Sequence, residues 1–421
     1  MINKNIFFLA FLVLSVNSIL AQSIVIKNAT IYNGIDDNPF AGHILIEDGL
    51  IKKVSKSLIQ GDKVIDVDGK IVTPGFIASG TEIGIVEIGS LSVTRDDESN
   101  VYNIGFSIHD AFNPNSTLIP WNRSNGITSA ITLPRNTSSP IGGLGSFFVL
   151  DGNLDVDSKQ DMVMIGTIGG SSSSSRSEML SLTDDILSFA SSISAKDLRT
   201  NSDIDSLIDS SSIADYLELK PRDVKALYKL VNENMPLMIN SNRASDILKL
   251  IELKKKYNLN LIIMSAQEAT LVSRQIADSK IPLVVNPINN IPNSFDELAA
   301  NKNLSSRLEN AGVLLMFNYG SHNSHLMRQG AGIAVANGMS YGGAIKALTS
   351  NVASSFNLEE RGSISPGKAA DLVIWEADPL EPSSMPEKVF INGVDIDLTT
   401  RSTRLRDRYT KNLDKPNTYR D

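Results

Sequence analysis

The 421-residue chain contains no cysteine, only four histidines and only two tryptophans. Absence of cysteine excludes disulfides, a thiolate nucleophile and a Cys-ligated zinc site. Positive charge is short as well: 39 Lys and Arg stand against 47 Asp and Glu, a net charge of -8. No long basic run is present, so nucleic acid is excluded as the main partner and no polybasic membrane patch exists. Long apolar runs are also missing. The longest, IFFLAFLVL from Ile6 to Leu14, falls short of the ~20 residues that a membrane span needs, so no transmembrane span is expected in the mature chain. What is present is ordinary globular composition, 42% hydrophobic and 20% charged. At roughly 100 to 200 residues per domain, two or three domains fit, although one barrel commonly takes about 250.

Lys4 precedes that short apolar run, and the small and polar SVNSILAQ follows it. This is the pattern of a cleavable signal peptide over residues 1–21, which implies a periplasmic or secreted protein. Beyond it, residues 23–72 are short strand-like runs with Asp48-Gly49 and Asp68-Gly69 as hairpin signals. Residues 73–356 alternate apolar runs (PLMIN, LNLIIMSA, IPLVVN) with helical patterns such as ASDILKLIELKKKYN. Such alternation predicts βα units around a parallel sheet. Residues 365–400 return to strands with an Asn392-Gly393 turn, and 401–421 form a basic tail diluted by Asp. GGSSSSSRSE (169–178) and SDIDSLIDSSS (202–212) are expected to be long loops.

IVTPGFIASG (71–80) resembles the strand 1 entrance of the amidohydrolase superfamily, in particular its imidazolonepropionase-like exported branch. GSISPGKAADLVIW (362–375), at the end of ALTSNVASSFNLEERGSISPGKAADLVIWEADPL, resembles that family's return from the last barrel helix, and NRASDI (242–247) adds to the likeness. The resemblance covers nearly the whole mature chain. It implies an α/β fold: a TIM-like (β/α)8 barrel over 73–356 and a small composite β-sandwich from residues 23–72 and 365–400.

The family's strand 1 carries His-x-His, two side chains on one face of a strand that hold a catalytic metal. Here those places read Gly80 and Glu82. Where the resemblance implies histidines after strands 5 and 6, the chain offers Asn240 and Ser265 or Ala266. Where it implies an aspartate after strand 8, the chain has Gly320 or Ser321, and Lys220 is the nearest lysine for strand 4. Neutral Asn and Ser are weak ligands and Gly is none, so the familiar metal-activated water has no visible support.

Other chemistry remains open. Glu82 and Glu87 flank strand 1, where one carboxyl in a dry pocket would serve as acid or base; a salt bridge is the plainer role. His322 and His325 in SHNSH share a helical turn, and with Glu82 they are the candidates for a reduced metal site; hydrogen-bonded loop histidines are the alternative. His43 and His109 read as structural, and Asp96, Asp97 and Glu98 as a solvated loop. Asn240, Asn242 and Arg243 end strand 5, and Arg243 can clamp a carboxylate. With His322 and His325 they form the candidate substrate-binding set, in a mouth expected to stay polar rather than fill with apolar side chains.

Three functions follow. The first is an exported relative of the carbon-nitrogen hydrolases that needs no cofactor and binds a small polar or anionic molecule. The second is an active amide or cyclic amide hydrolase with a rearranged divalent metal site, such as zinc, or metal-free chemistry. The third is a structural partner of an active paralogue; homo-oligomers fit any of these.

Overall fold

The structure, a computed structural model, describes residues 23–135, 139–169 and 175–411. The segment expected to be a signal peptide, most of the Ser-rich run and residues 412–421 lie outside them. Among the described residues, sixteen strands fall into two eight-stranded sheets. Five open the first sheet: β1 (Ile24–Ile31), β2 (Phe40–Glu47), β3 (Leu50–Ser55), β4 (Lys63–Asp66) and β5 (Ile71–Pro74). Eight form the barrel sheet: β6 (Phe76–Thr81), β7 (Ile127–Thr132), β8 (Ile141–Val149), β9 (Ser158–Thr167), β10 (Leu237–Ser241), β11 (Leu261–Ser265), β12 (Leu283–Val285) and β13 (Leu315–Phe317). Then β14 (Leu372–Trp375), β15 (Pro386–Ile391) and β16 (Val394–Asp395) return to the first sheet.

That first sheet has the order β16-β15-β14-β5-β1-β2-β3, with β4 also paired to β1. The two ends of the chain therefore build one β domain, joined where β14 runs antiparallel to β5. Its turns follow their residues. Asp48 and Gly49 have φ of 51° and 75°, and Asn392 and Gly393 of 49° and 75°. Two successive positive φ values are what a two-residue hairpin turn of matching twist requires. Asp68-Gly69 also has positive φ, but it makes no hairpin. β4 and β5 both lie parallel to β1, and the dipeptide bridges them opposite Asn28, whose carbonyl accepts from the Gly69 N–H.

The barrel sheet runs β13-β12-β11-β10-β9-β8-β7-β6, and the Ser79 hydroxyl donates to the Phe317 carbonyl at 2.9 Å across the seam that closes it. Seven strands are parallel to one another; β8 alone is antiparallel to both neighbours. This departs from the uniform βα alternation expected from sequence. The 133–140 connection is too short for a crossover helix, so β8 turns straight back. Every residue of β6, β7 and β8 is buried, which explains why their sequences show no alternation.

The SDIDSLIDSSS segment is a second correction. It folds as helices Asn201–Asp209 and Ser212–Tyr216, the first begun by a Thr200/Asp203 capping box and anchored by buried Ile204. Serine and aspartate are capping residues as much as loop residues, and composition alone hides the difference.

Barrel and β domain share an apolar boundary. The fully buried Trp375 of β14 packs on Phe76 with ring centroids 5.4 Å apart, and its indole N–H donates to Thr73 Oγ1 at 2.9 Å. Arg361, directly before the GSISPGKAADLVIW segment, pairs with Asp371 just before β14 and with Asp157 just before β9, the latter at 2.7 Å. No helix among the described residues is long and apolar enough to cross a membrane.

Candidate functional site

The C-terminal ends of the parallel barrel strands converge on one mouth, the end where barrels of this kind build their sites. Gly80, near the end of β6, has φ of 111°. A Cβ placed there would stand 3.2 Å from Leu133 Cδ1, 3.4 Å from Asn318 Nδ2 and 3.9 Å from Met264 Sδ. Asn318 Nδ2 in turn lies 3.5 Å from Met264 Sδ. Position 80, where the resemblance implies a histidine, is thus flanked by side chains from after β7, within β11 and after β13. The mouth is polar at some positions and lined by Leu133 and Met264 at this one.

The two other carried-over places meet each other. Ser265 Oγ donates to Asn240 Oδ1 at 2.6 Å across paired strands β10 and β11. Ser265 and Ala266 both have positive φ, 74° and 49°, an uncommon conformation for residues with a side chain and one that turns the chain sharply at the strand end. After β13 the first polar side chain is buried Asn318, while Gly320 faces open space. Asn318, rather than Gly320 or Ser321, stands where strand 8 delivers a residue to the mouth. Lys220 is exposed before the helix Pro221–Asn232 and lies on no strand.

Glu82, the residue directly after β6, is held by Arg95 at 2.8 Å and lies 3.7 Å from His322 Nδ1. Burial pushes the Glu82 carboxyl up, but His322 and the Arg95 guanidinium outweigh it and leave it below the usual range. Arg95 also grips Asp97 at 2.5 Å, and Arg135 reaches Asp97 at 3.3 Å and Glu98 at 3.0 Å. Asp97 has a fully buried side chain. The acidic run read as solvated loop therefore supplies the centre of an ion-pair chain, because Arg95, two residues before Asp97, and Arg135, beyond β7, compensate it. Glu87 points elsewhere, accepting from Thr117 Oγ1 at 3.3 Å and Asn113 Nδ2 at 3.5 Å.

The SHNSH segment is strapped to β6: Thr81 Oγ1 donates to the Ser321 carbonyl at 2.8 Å and accepts from Ser324 Oγ at 2.6 Å. His325 turns away from Glu82. Its Nδ1 accepts from the Trp121 indole N–H at 3.1 Å, and burial, with the charges of Arg328 and His322, pushes the imidazole down to about 4. It is neutral at physiological pH, with its proton on Nε2. His322 Nδ1 is buried without a hydrogen-bond partner. Asn242 donates to Glu297 at 2.9 Å and accepts from the Gln267 N–H, while Arg243 is exposed at the start of helix Ala244–Tyr257. His43 Nδ1 accepts from the Asn28 N–H, and His109 stacks on Phe148.

A divalent metal, which the resemblance implies, finds no fitting donors at the carried-over positions. Gly80 has no side chain, Asn240 and Ser265 satisfy each other, and Asn318 is a neutral amide against a thioether. Among the described residues no group of three or more His, Asp or Glu is placed to hold a metal ion. Sequence reasoning missed Leu133, Met264 and Asn318. Only the position of Asn318, directly after the apolar LLMF run, carried a signal.

Residues 220–396 match the amidohydrolase family. The dihydropyrimidinase of Dictyostelium discoideum is 38% identical over 77 residues, 18% of this chain and 15% of that protein's length. Among solved structures, an amidohydrolase from Thermotoga maritima MSB8 superposes with a TM-score of 0.75 at 24% identity, over 89% of this chain and 99% of that one. The L-hydantoinase (dihydropyrimidinase) from Arthrobacter aurescens superposes with a TM-score of 0.51 at 13% identity, over 89% and 96%. Residues 220–396 are thus similar to that family, and the barrel with its β domain has the fold of these solved structures.

Proposed function

We propose that this chain is an exported member of the carbon-nitrogen hydrolase group of amidohydrolases whose mouth has given up metal chemistry and binds a small polar ligand. The observation that carries the reading is the 2.6 Å hydrogen bond between Ser265 and Asn240. Two residues that the resemblance would make metal-binding histidines are here a neutral pair that completes its own hydrogen bonding. Zinc gains little from such a pair, since ligation needs deprotonated donors and would break the bond already made.

The mouth still offers hydrogen-bonding groups. Thr167 Oγ1, on the β9 residue paired with Asn240, is buried and unpartnered, as is His322 Nδ1. Such groups favour an amide-bearing or carboxylate ligand over an apolar one, because an unpaired buried polar atom costs about 1 to 3 kcal/mol. An acid-base role for Glu82 is disfavoured by its ion pair, which stabilises the carboxylate against taking up a proton.

Two measurements test the reading. Elemental analysis of protein purified without chelators should find no stoichiometric zinc, manganese or iron; about one per chain, lost on Glu82→Ala or His322→Ala, would overturn metal depletion. A calorimetric screen of dipeptides, cyclic amides and carboxylates should give ligands weakened by combined Arg243→Ala and His322→Ala. A screen without binders, or with binders indifferent to those substitutions, would reduce the mouth to a scaffold.

A further inference from the structure

After β12 the chain runs from residue 286 to residue 303 before the helix Leu304–Asn310 begins. A connection of that length with no helix or strand of its own is uncommon in a compact domain, and such loops commonly serve as lids over a site. From Ile288 to Asn303 no side chain is buried, and the large apolar ones are turned outward: Ile291 is 68% exposed, Phe295 89% and Leu298 64%. Apolar packing therefore does not hold this strap in place.

Polar contacts do. Asp296 pairs with Arg176, the first residue of the helix Arg176–Ser192 that follows β9, and Arg176 is itself fixed by buried Asp246 at 2.9 Å. Glu297 accepts from Asn242 Nδ2, just after β10, at 2.9 Å and from the Asn293 N–H within the strap at 3.0 Å. The barrel sheet runs β12-β11-β10-β9 in this region. A segment that leaves β12 and bonds to groups beyond β10 and β9 must cross the end of β11, where half-buried Ser265 is the last strand residue. Asn242 is thus committed to the strap, and a ligand that needs its amide has to displace Glu297 first.

We propose that residues 288–303 are a lid over the barrel mouth, latched by Asp296 on Arg176 and by Glu297 on Asn242, and that release of this latch opens the way to Asn240 and Ser265. Buried Pro287 and Leu304 fix the two ends of the lid. Opening gives up the latch but no buried apolar area, which places it at the low end of local opening free energies. Gating is a matter of access, so it holds whether or not the mouth binds a small polar ligand.

The test needs no ligand. Because the chain has no cysteine, a single Ser265→Cys substitution reports access to the mouth through its rate of reaction with dithionitrobenzoate under native conditions. Adding Asp296→Ala and Glu297→Ala removes the strap's half of the latch and leaves the Arg176–Asp246 pair intact; the reaction should speed up by about tenfold. Asp296→Glu alone keeps the charge and should react close to the rate of the intact latch. Lys255→Cys, exposed on the helix Ala244–Tyr257, serves as the control and should react at the same rate with and without the latch. An unchanged Ser265→Cys rate in the latch-free chain would show that the strap does not limit access, and an equal acceleration of Lys255→Cys would show general loosening; either result overturns the proposal.

Discussion

Replacing Arg361 by methionine probes the contact that ties the β domain to the barrel. The Arg361 side chain is 5% exposed and that of its partner Asp371 is 6% exposed. Removing the guanidinium leaves Asp371 buried with one remaining hydrogen bond, from the Asn392 N–H at 2.8 Å. Breaking a buried pair in this way costs about 3 to 5 kcal/mol, because the surviving charge has lost its compensation. Asp157, the second partner, is more than half exposed and adds little, since solvent screens it. Burial raises the Asp371 carboxyl even against the pull of Arg361, so without Arg361 it rises further. A folded-state carboxyl above its unfolded value binds protons that the unfolded chain does not. The deficit of Arg361→Met should therefore be largest at neutral pH and shrink as pH falls through the raised folded value. Urea unfolding at several pH values measures this. Combining Arg361→Met with Asp371→Asn should recover most of the loss, since Asn keeps the oxygen that accepts from Asn392. A loss under about 1 kcal/mol, or a double variant less stable than the single one, would refute the reasoning.

Installing the missing motif by Gly80→His with Glu82→His should lower stability by about 1 to 3 kcal/mol, since φ at residue 80 is 111° and Leu133 and Asn318 crowd the new Cβ; about one zinc per purified chain would contradict it. By NMR, His325 should titrate near 4, and a value near the ordinary ~6.5 would count against its burial beside Trp121. Because its folded value is depressed, the stability it contributes above ~6.5 is lost as pH falls toward about 4, so His325→Gln should flatten the acid limb of the stability curve. Ending the chain after residue 360 removes β14, β15 and β16 and leaves β5 without its antiparallel neighbour; insoluble or molten product is expected, and an unchanged thermal unfolding curve would show the remaining strands to be independent.

Local chemistry explains what could be read from the chain alone. Asp48-Gly49 and Asn392-Gly393 are hairpin turns because few residues other than Gly, Asn and Asp accept positive φ cheaply. The helix from Ala244 to Tyr257 follows from apolar residues at helical spacing, with Asn258 ending it at φ of 51°. The barrel and the two-ended β domain were legible because buried parallel strands and signature segments such as GSISPGKAADLVIW leave strong runs. Even there, the same Asp-Gly dipeptide at 68–69 joins two strands on one side of β1. Its φ values were set locally and its role by the pairing partner.

The candidate site was legible only as a set of absences. That positions 80, 240 and 265 are Gly, Asn and Ser is written in the sequence; what packs around them is not. Leu133, Met264 and Asn318 close on Gly80 from three different strands, and Arg95 and Arg135 bury an aspartate that reads as loop. Apart from Arg95 and Asp97, two positions apart, these contacts join residues tens to hundreds of positions apart, and periodicity carries no information about which side chains meet across a barrel. The sequence by itself determined the turns, the amphipathic helices and the barrel with its β domain, since each depends on residue type or short-range spacing. Tertiary structure alone decided that β8 runs backwards, that Asn240 bonds Ser265 and that Glu82 is spent on Arg95, because closing the barrel is what brings those atoms within hydrogen-bonding distance.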